Sequence, residues 1–181
     1  MKKYQKFIEK NKIKLFGFIP ARMAASRFPG KPLKKILGIP MIEHVFKRAS
    51  LFDRWEKLYL TTCDKEIQKF SKSQNIPYIM TSKKHKRCLD RIYEAANKKK
   101  NIIGKKDIII CVQGDEPMMR PDMIDVVVEP LRKDSVVNGT VLAMEIIDEE
   151  QFRNPDIVKI IHNMAGDVLY TSRSPIPYCK S

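Results

Sequence analysis

The residue types best suited to chemistry are gathered in two short stretches. Residues Lys14 to Leu33 read as an apolar strand running straight into a loop that carries Arg22, Arg27, Gly30 and Lys31. A loop of this kind at the carboxyl end of a first β-strand suits a polyanion. Small residues (Ala21, Ala24, Ala25, Gly30) let backbone N–H groups approach phosphate oxygens, Arg22 offers a planar fork, and Lys31 offers a mobile point charge. Pro20, Pro29 and Pro32 stiffen the path. The stretch is neither Gly-x-x-x-x-Gly-Lys-Ser/Thr nor Gly-x-Gly-x-x-Gly, which argues against P-loop and dinucleotide-binding readings. The second stretch is Gln113-Gly114-Asp115-Glu116-Pro117, which follows the apolar run Asp107 to Val112. At a strand's carboxyl end Asp115 could hold Mg²⁺, a hard cation that takes carboxylate, water and phosphate oxygens. A phosphate cradle with a metal carboxylate points to phosphoryl or nucleotidyl transfer. Each stretch also has a plainer reading: a basic surface loop without a ligand, and a polar turn in which Asp115 or Glu116 caps the next helix.

The elements that must position these residues alternate between strand and helix. Strands are expected at Leu15 to Ile19, Lys57 to Thr61, Pro77 to Met80 and Asp107 to Val112, the last as a central strand buried on both faces. Helices are expected from Met41 to about Leu51, Lys65 to Ser73, Leu89 to Lys100, and from Pro121, a first-turn proline, to about Arg132. That rhythm implies an α/β fold with a mainly parallel sheet and right-handed crossovers. After Asp134 the pattern changes: a strand-like Val136 to Ile147, a short helix at Glu149 to Phe152, and a hairpin from Ile157 to Tyr170 turning at Ala165-Gly166-Asp167 add antiparallel structure.

The chain of 181 residues is 43% hydrophobic and 31% charged, enough for a full core in one domain, residues 14–181, behind a basic N-terminal extension at 1–13. A net charge of +14 favours anionic ligands. The runs Lys83 to Arg87, Lys98 to Lys100 and Lys105-Lys106 read as solvated faces. Basic residues without interleaved aromatics give a nucleic-acid-binding protein little support. The N-terminus lacks a signal peptide's apolar core and no run approaches membrane-spanning length, which implies a cytoplasmic protein. Cys63, Cys88, Cys111 and Cys179 are scattered, so reduced thiols are expected, and His44, His85 and His162 show no metal spacing.

Four blocks carry a resemblance: Ile19-Pro-Ala-Arg-x-x-x-Ser-Arg-x-Pro-Gly-Lys-Pro-Leu33, Pro40-Met-Ile-x-His-Val45, Gln113-Gly-Asp-Glu-Pro117 and Leu169-Tyr-x-Ser-Arg-x-Pro-Ile-Pro177. Together they resemble the cytidylyltransferases that activate 3-deoxy-D-manno-octulosonate (Kdo), from about Lys14 to the C-terminus. The resemblance implies a Rossmann-like nucleotide-diphospho-sugar transferase fold. It implies the reaction of CTP with Kdo to CMP-Kdo and pyrophosphate, with Mg²⁺, feeding lipopolysaccharide synthesis. It further implies that Pro20, Ala21, Arg22, Ser26, Arg27, Lys31 and Gln113 bind the nucleotide, with Arg22 and Lys31 neutralising the triphosphate. Asp115 would hold the metal, and Gln113 and Arg173 would contact the acidic sugar. Members are expected to form homodimers.

Two departures qualify what is implied. Where the family has His-x-Ser-Gly-Thr-Asp/Glu-Arg near the nucleotide, this chain reads His85-Lys-Arg-Cys-Leu-Asp-Arg91. The change removes easy access to positive φ and two hydroxyl partners, which leaves open a different acidic sugar, such as a sialic-acid-like nonulosonate. Family members also continue well beyond the last block, with further sugar contacts, a second metal carboxylate and much of the dimer surface. The expectation is therefore a C-terminally truncated cytidylyltransferase, with an inactive member that binds CTP weakly as the alternative.

Overall fold

The computed structural model describes residues 13–24 and 28–178, which fall into two compact units, one within residues 1–140 and the other within 141–181. In the first unit, four strands form an all-parallel sheet: β1 (Leu15–Pro20), β4 (Trp55–Thr62), β5 (Tyr78–Met80) and β6 (Ile108–Cys111), in the order β5-β4-β1-β6. A minimal antiparallel pair, β2 (Lys35–Ile36) and β3 (Ile39–Pro40), lies between β1 and the first helix. The helices are α1 (Met41–Ser50), α2 (Lys65–Ser73), α3 (Cys88–Asn97) and α4 (Asp122–Lys133).

Alternation along β1 divides the core. Leu15 and Ile19 join Leu58, Leu60, Ile108 and Ile110 on the face covered by α1, α2 and α4, through Ile42, Val45, Ile67, Ile124 and Val128. Phe16 and Phe18 point the other way, onto Tyr59, Ile79 and the Ile92, Ala95 and Ala96 side chains of α3. Successive strand residues face opposite sides, so a strand apolar at every position is one covered by helices on both sides. Gly17 sits on the crowded face, where an added Cβ would lie 2.5 Å from Leu58 Cδ1 and 3.0 Å from the Trp55 ring.

Strand order reverses at β1: β4 and β5 are added to one side of it, β6 to the other. Ligands in open α/β sheets bind beyond the carboxyl ends of the strands at such a switch point. The loops after β1 and β6 are therefore the ones placed to share a ligand.

Two expectations are corrected. β6 is an edge strand of the described sheet, not a central one, and Ile109 is 42% exposed. An apolar run shows that both faces prefer cover, and it carries no information about the strand's lateral neighbours. Residues 136–147 form no strand, and Val136, Val141, Met144 and Ile147 are exposed. A strand needs a backbone partner as well as alternating side chains, and none pairs with this segment among the described residues.

The second unit contains a short helix, α5 (Glu149–Arg153), capped by the Asp148 carboxylate accepting from Gln151 N–H at 2.7 Å. It also contains the expected antiparallel hairpin, β7 (Lys159–His162) with β8 (Val168–Ser172), whose turn uses Gly166 at φ 90°. No helix among the described residues is long and apolar enough to cross a membrane.

Candidate active site

The loop after β1 is tied down at both described ends. Ala21 N–H donates to the Thr61 carbonyl at 2.9 Å, Met23 N–H donates to the Asp64 carboxylate at 2.8 Å, and Gly30 N–H returns to the Met23 carbonyl at 2.9 Å. Gly30, at φ 74°, is in the left-handed region that glycine enters without strain, and it starts a 3₁₀ turn, Lys31–Leu33, with Pro32 buried behind it. This turn sets the direction of Lys31, whose ammonium reaches the Asp115 carboxylate at 3.0 Å.

Asp115 comes from the opposite side of the switch point. At the end of β6 the backbone passes so close to β1 that a Cβ on Gly114 would lie 2.2 Å from the Pro20 carbonyl oxygen. Only glycine permits that approach, which brings Gln113 and Asp115 beside Pro20, Ala21 and Arg22. The capping role is not filled by Asp115 or Glu116: the following helix starts at Asp122, with Pro121 at its N-cap.

Between the two loops lies an open cleft of about 430 Å³, in the size range of small-ligand sites. Pro20, Ala21, Arg22, Lys31, Gln113 and Asp115, all expected from sequence, line it. Ser26 and Arg27 lie outside the described residues. Arg173 belongs to the second unit, where its guanidinium donates to the Pro155 carbonyl at 2.8 Å.

A third wall comes from the block His85 to Arg91, which the resemblance places near the nucleotide. His85, Lys86, Arg87, Cys88 and Arg91 line the cleft, with Lys86 and Arg87 exposed as a solvated basic run should be. The cause is Glu94 on α3, which accepts from Ser82 N–H at 2.9 Å, contacts His85 Nε2, and pairs with Lys98 at 2.7 Å. Lys98 in turn donates to the Met80 carbonyl at 2.7 Å. Glu94 thus folds the segment after β5 back over the cleft. Arg91 is 3% exposed and donates to Thr81 Oγ1, to the Ser82 carbonyl and to Cys63 Sγ. The sequence signal was available in the placement of Glu94 nine residues after His85, but its meaning depends on a helix starting at Cys88.

The Lys98 hydrogen bond, helped by the Ser82 N–H and His85, holds the Glu94 carboxyl at about 2, below its ordinary 4.5, against an opposing effect of burial. A carboxyl with a lowered folded-state value stabilises the fold above its ordinary value and loses that contribution as pH falls towards the lowered one. Thermal unfolding between pH 4.5 and 2 should therefore fall more steeply for the wild type than for Glu94→Gln, which lacks the titrating group.

The site and sheet define a class: nucleotidyltransferases of the Rossmann-like type, with a cationic loop after the first strand facing a carboxylate across the switch point. Within that class, the profile of the cytidylyltransferase family matches residues 16–181, and the chain belongs to that family. The chain is 41% identical over 165 residues to the 3-deoxy-manno-octulosonate cytidylyltransferase of Oleidesulfovibrio alaskensis, covering 91% of this chain and 65% of that protein. The enzyme of the same name from Geobacter metallireducens is 36% identical over 165 residues, covering 91% and 63%. The chain thus spans slightly less than two thirds of these relatives' length. Among solved structures, a CMP:2-keto-3-deoxy-manno-octonic acid synthetase complexed with CTP superposes with TM-score 0.77 at 35% identity, covering 91% of this chain and 66% of that one. A 4-diphosphocytidyl-2C-methyl-D-erythritol synthase, at 12% identity and TM-score 0.60, shares the fold.

Proposed function

We propose that this chain carries the nucleotide site of a Kdo cytidylyltransferase, which transfers CMP from CTP to the anomeric hydroxyl of Kdo and releases pyrophosphate. The observation that carries the reading is the meeting of Lys31 with Asp115 at 3.0 Å across the switch point. On this reading the cation meets phosphate oxygens and the carboxylate meets a divalent metal, and a triphosphate would separate the two. The similarity to relatives bearing that activity, and to a synthetase holding CTP, supports it.

Mg²⁺ fits Asp115. No group of three His, Cys, Asp or Glu able to hold a metal occurs among the described residues, and Mg²⁺ commonly takes one or two carboxylates with substrate phosphates and water. When bound, it would neutralise phosphate charge. Arg22 and Lys31 then hold the triphosphate in line for attack and stabilise charge moving onto departing pyrophosphate. The phosphorus–oxygen bond to the sugar forms as that to pyrophosphate breaks, and no protein nucleophile is needed. Gln113 contacts the acidic sugar from the β6 loop. On this reading the whole protein is cytoplasmic and homodimeric, and its product serves lipopolysaccharide synthesis.

The test is pyrophosphate release with CTP, Mg²⁺ and Kdo, run on this chain and on any longer polypeptide that contains it. Parallel arms replace CTP by other nucleotides and Kdo by a sialic-acid-like nonulosonate. Release that requires both CTP and Kdo is expected. Preference for the nonulosonate would reassign the sugar, and silence from every polypeptide that still binds CTP would remove the transferase reading.

A further inference from the structure

Cys88 and Cys111 come from different elements and meet at the cleft. Cys88 opens α3 and lines the cavity; Cys111 ends β6, packed on the core beneath that helix. Packing of α3 on β6 brings the two cysteines beside one another. Burial, with the neighbouring Cys88 and Asp115, pushes the Cys111 thiol up to about 12. Neither is in a disulfide, and Cys63, the third described cysteine, accepts instead from Arg91 at 3.5 Å.

We propose that Cys88 and Cys111 form a covalent modification site, which a small disulfide such as oxidised glutathione converts to an intramolecular disulfide in the wall of the cleft. The Cys88 thiolate attacks one sulfur of the small disulfide, forming a mixed disulfide and expelling one thiolate. Cys111 then gives up its proton and attacks the Cys88 sulfur, expelling the second small thiolate. Two protein thiols are oxidised, one small disulfide is reduced to two thiols, and the two protons end on those thiols. Attack requires thiolate and access; Cys88 lines the open cleft while Cys111 is packed beneath α3, so the Cys88 adduct forms first. Bonded sulfurs stand about 2 Å apart, closer than two free thiols pack, so closure draws the start of α3 towards β6. It thereby links the His85 to Arg87 wall to the strand leading into Gln113 and Asp115. The effect on the ligand rests on the nucleotide reading above; the modification itself does not.

The chain is incubated in glutathione buffers of rising oxidised fraction, alkylated, digested and mapped by mass spectrometry. A glutathione adduct on Cys88 followed by a Cys88–Cys111 cross-linked peptide is expected, reversed by dithiothreitol and unchanged in Cys63→Ser. Cys111→Ser should stop at the adduct. A persistent Cys88 adduct in the wild type, a cross-link through Cys63 or Cys179 instead, or a Cys88–Cys111 link that forms only in urea would overturn the proposal. CTP titration of the folded oxidised and reduced forms should differ about fivefold or more, a typical coupling between sites. A cross-link that forms while neither form binds CTP would uphold the modification site and refute the nucleotide reading. Equal CTP affinities of the two forms would sink the proposed coupling to the cleft.

Discussion

Asp115→Ala is expected to lower CTP-dependent pyrophosphate release about a hundredfold or more, the scale on which loss of one group stabilising developing charge is felt. The loss alone would not identify the role, and the sign of the binding change does. Without Mg²⁺, Asp115 is a negative charge beside a bound triphosphate and also a competitor for Lys31, to which it is paired at 3.0 Å. Removing it should leave CTP binding equal or tighter in chelator. With Mg²⁺, the same substitution removes a metal ligand, and binding should weaken. Calorimetric titration of CTP with and without Mg²⁺ checks the inversion; weaker binding in both conditions would mean that Asp115 acts through the fold and not through a metal. Lys31→Ala should weaken binding in both conditions. The double variant should fall short of the sum of the single losses, because the two groups share one partner site.

Gly114→Ala should be the most damaging single-methyl change in the first unit. The added Cβ would meet the Pro20 carbonyl oxygen at 2.2 Å and its carbon at 3.2 Å. Both are backbone atoms of β1, so no side-chain rotation relieves the clash, and the ends of β1 and β6 must move apart. Overpacking of this kind costs about 3 kcal/mol, on the order of 10 °C in Tm for a chain of this size. Gly139→Ala is the control, with nothing within 4 Å of the added atom and no positive φ. Because the displaced segments carry Arg22 on one side and Asp115 on the other, any folded Gly114→Ala protein should also lose CTP affinity. Retained affinity would show that the two loops do not share a ligand.

The alternation of strands and helices, the two loops after β1 and β6, and six residues of the cleft were legible in the sequence because they depend on local chemistry. Strand alternation reports which faces are covered, and a Gly-Lys-Pro turn or an acidic loop after an apolar run reports what its own side chains can do. The Gly114 contact was not legible, since its partner oxygen belongs to Pro20, far away in the chain. The third wall was legible only through the resemblance: by their own chemistry Lys86 and Arg87 are a solvated basic run, and it is Glu94, gathering Ser82 and His85, that holds the segment at the cleft. The same limit explains the two errors in the fold. An apolar run and an alternating run both describe side chains, whereas lateral position in a sheet is decided by which backbones pair. By itself, then, the sequence determined the elements, the covered faces and the chemical character of the two loops. The tertiary structure alone decided that β6 docks beside β1 at the switch point and that α3 closes the cleft, because those outcomes depend on contacts between residues distant along the chain.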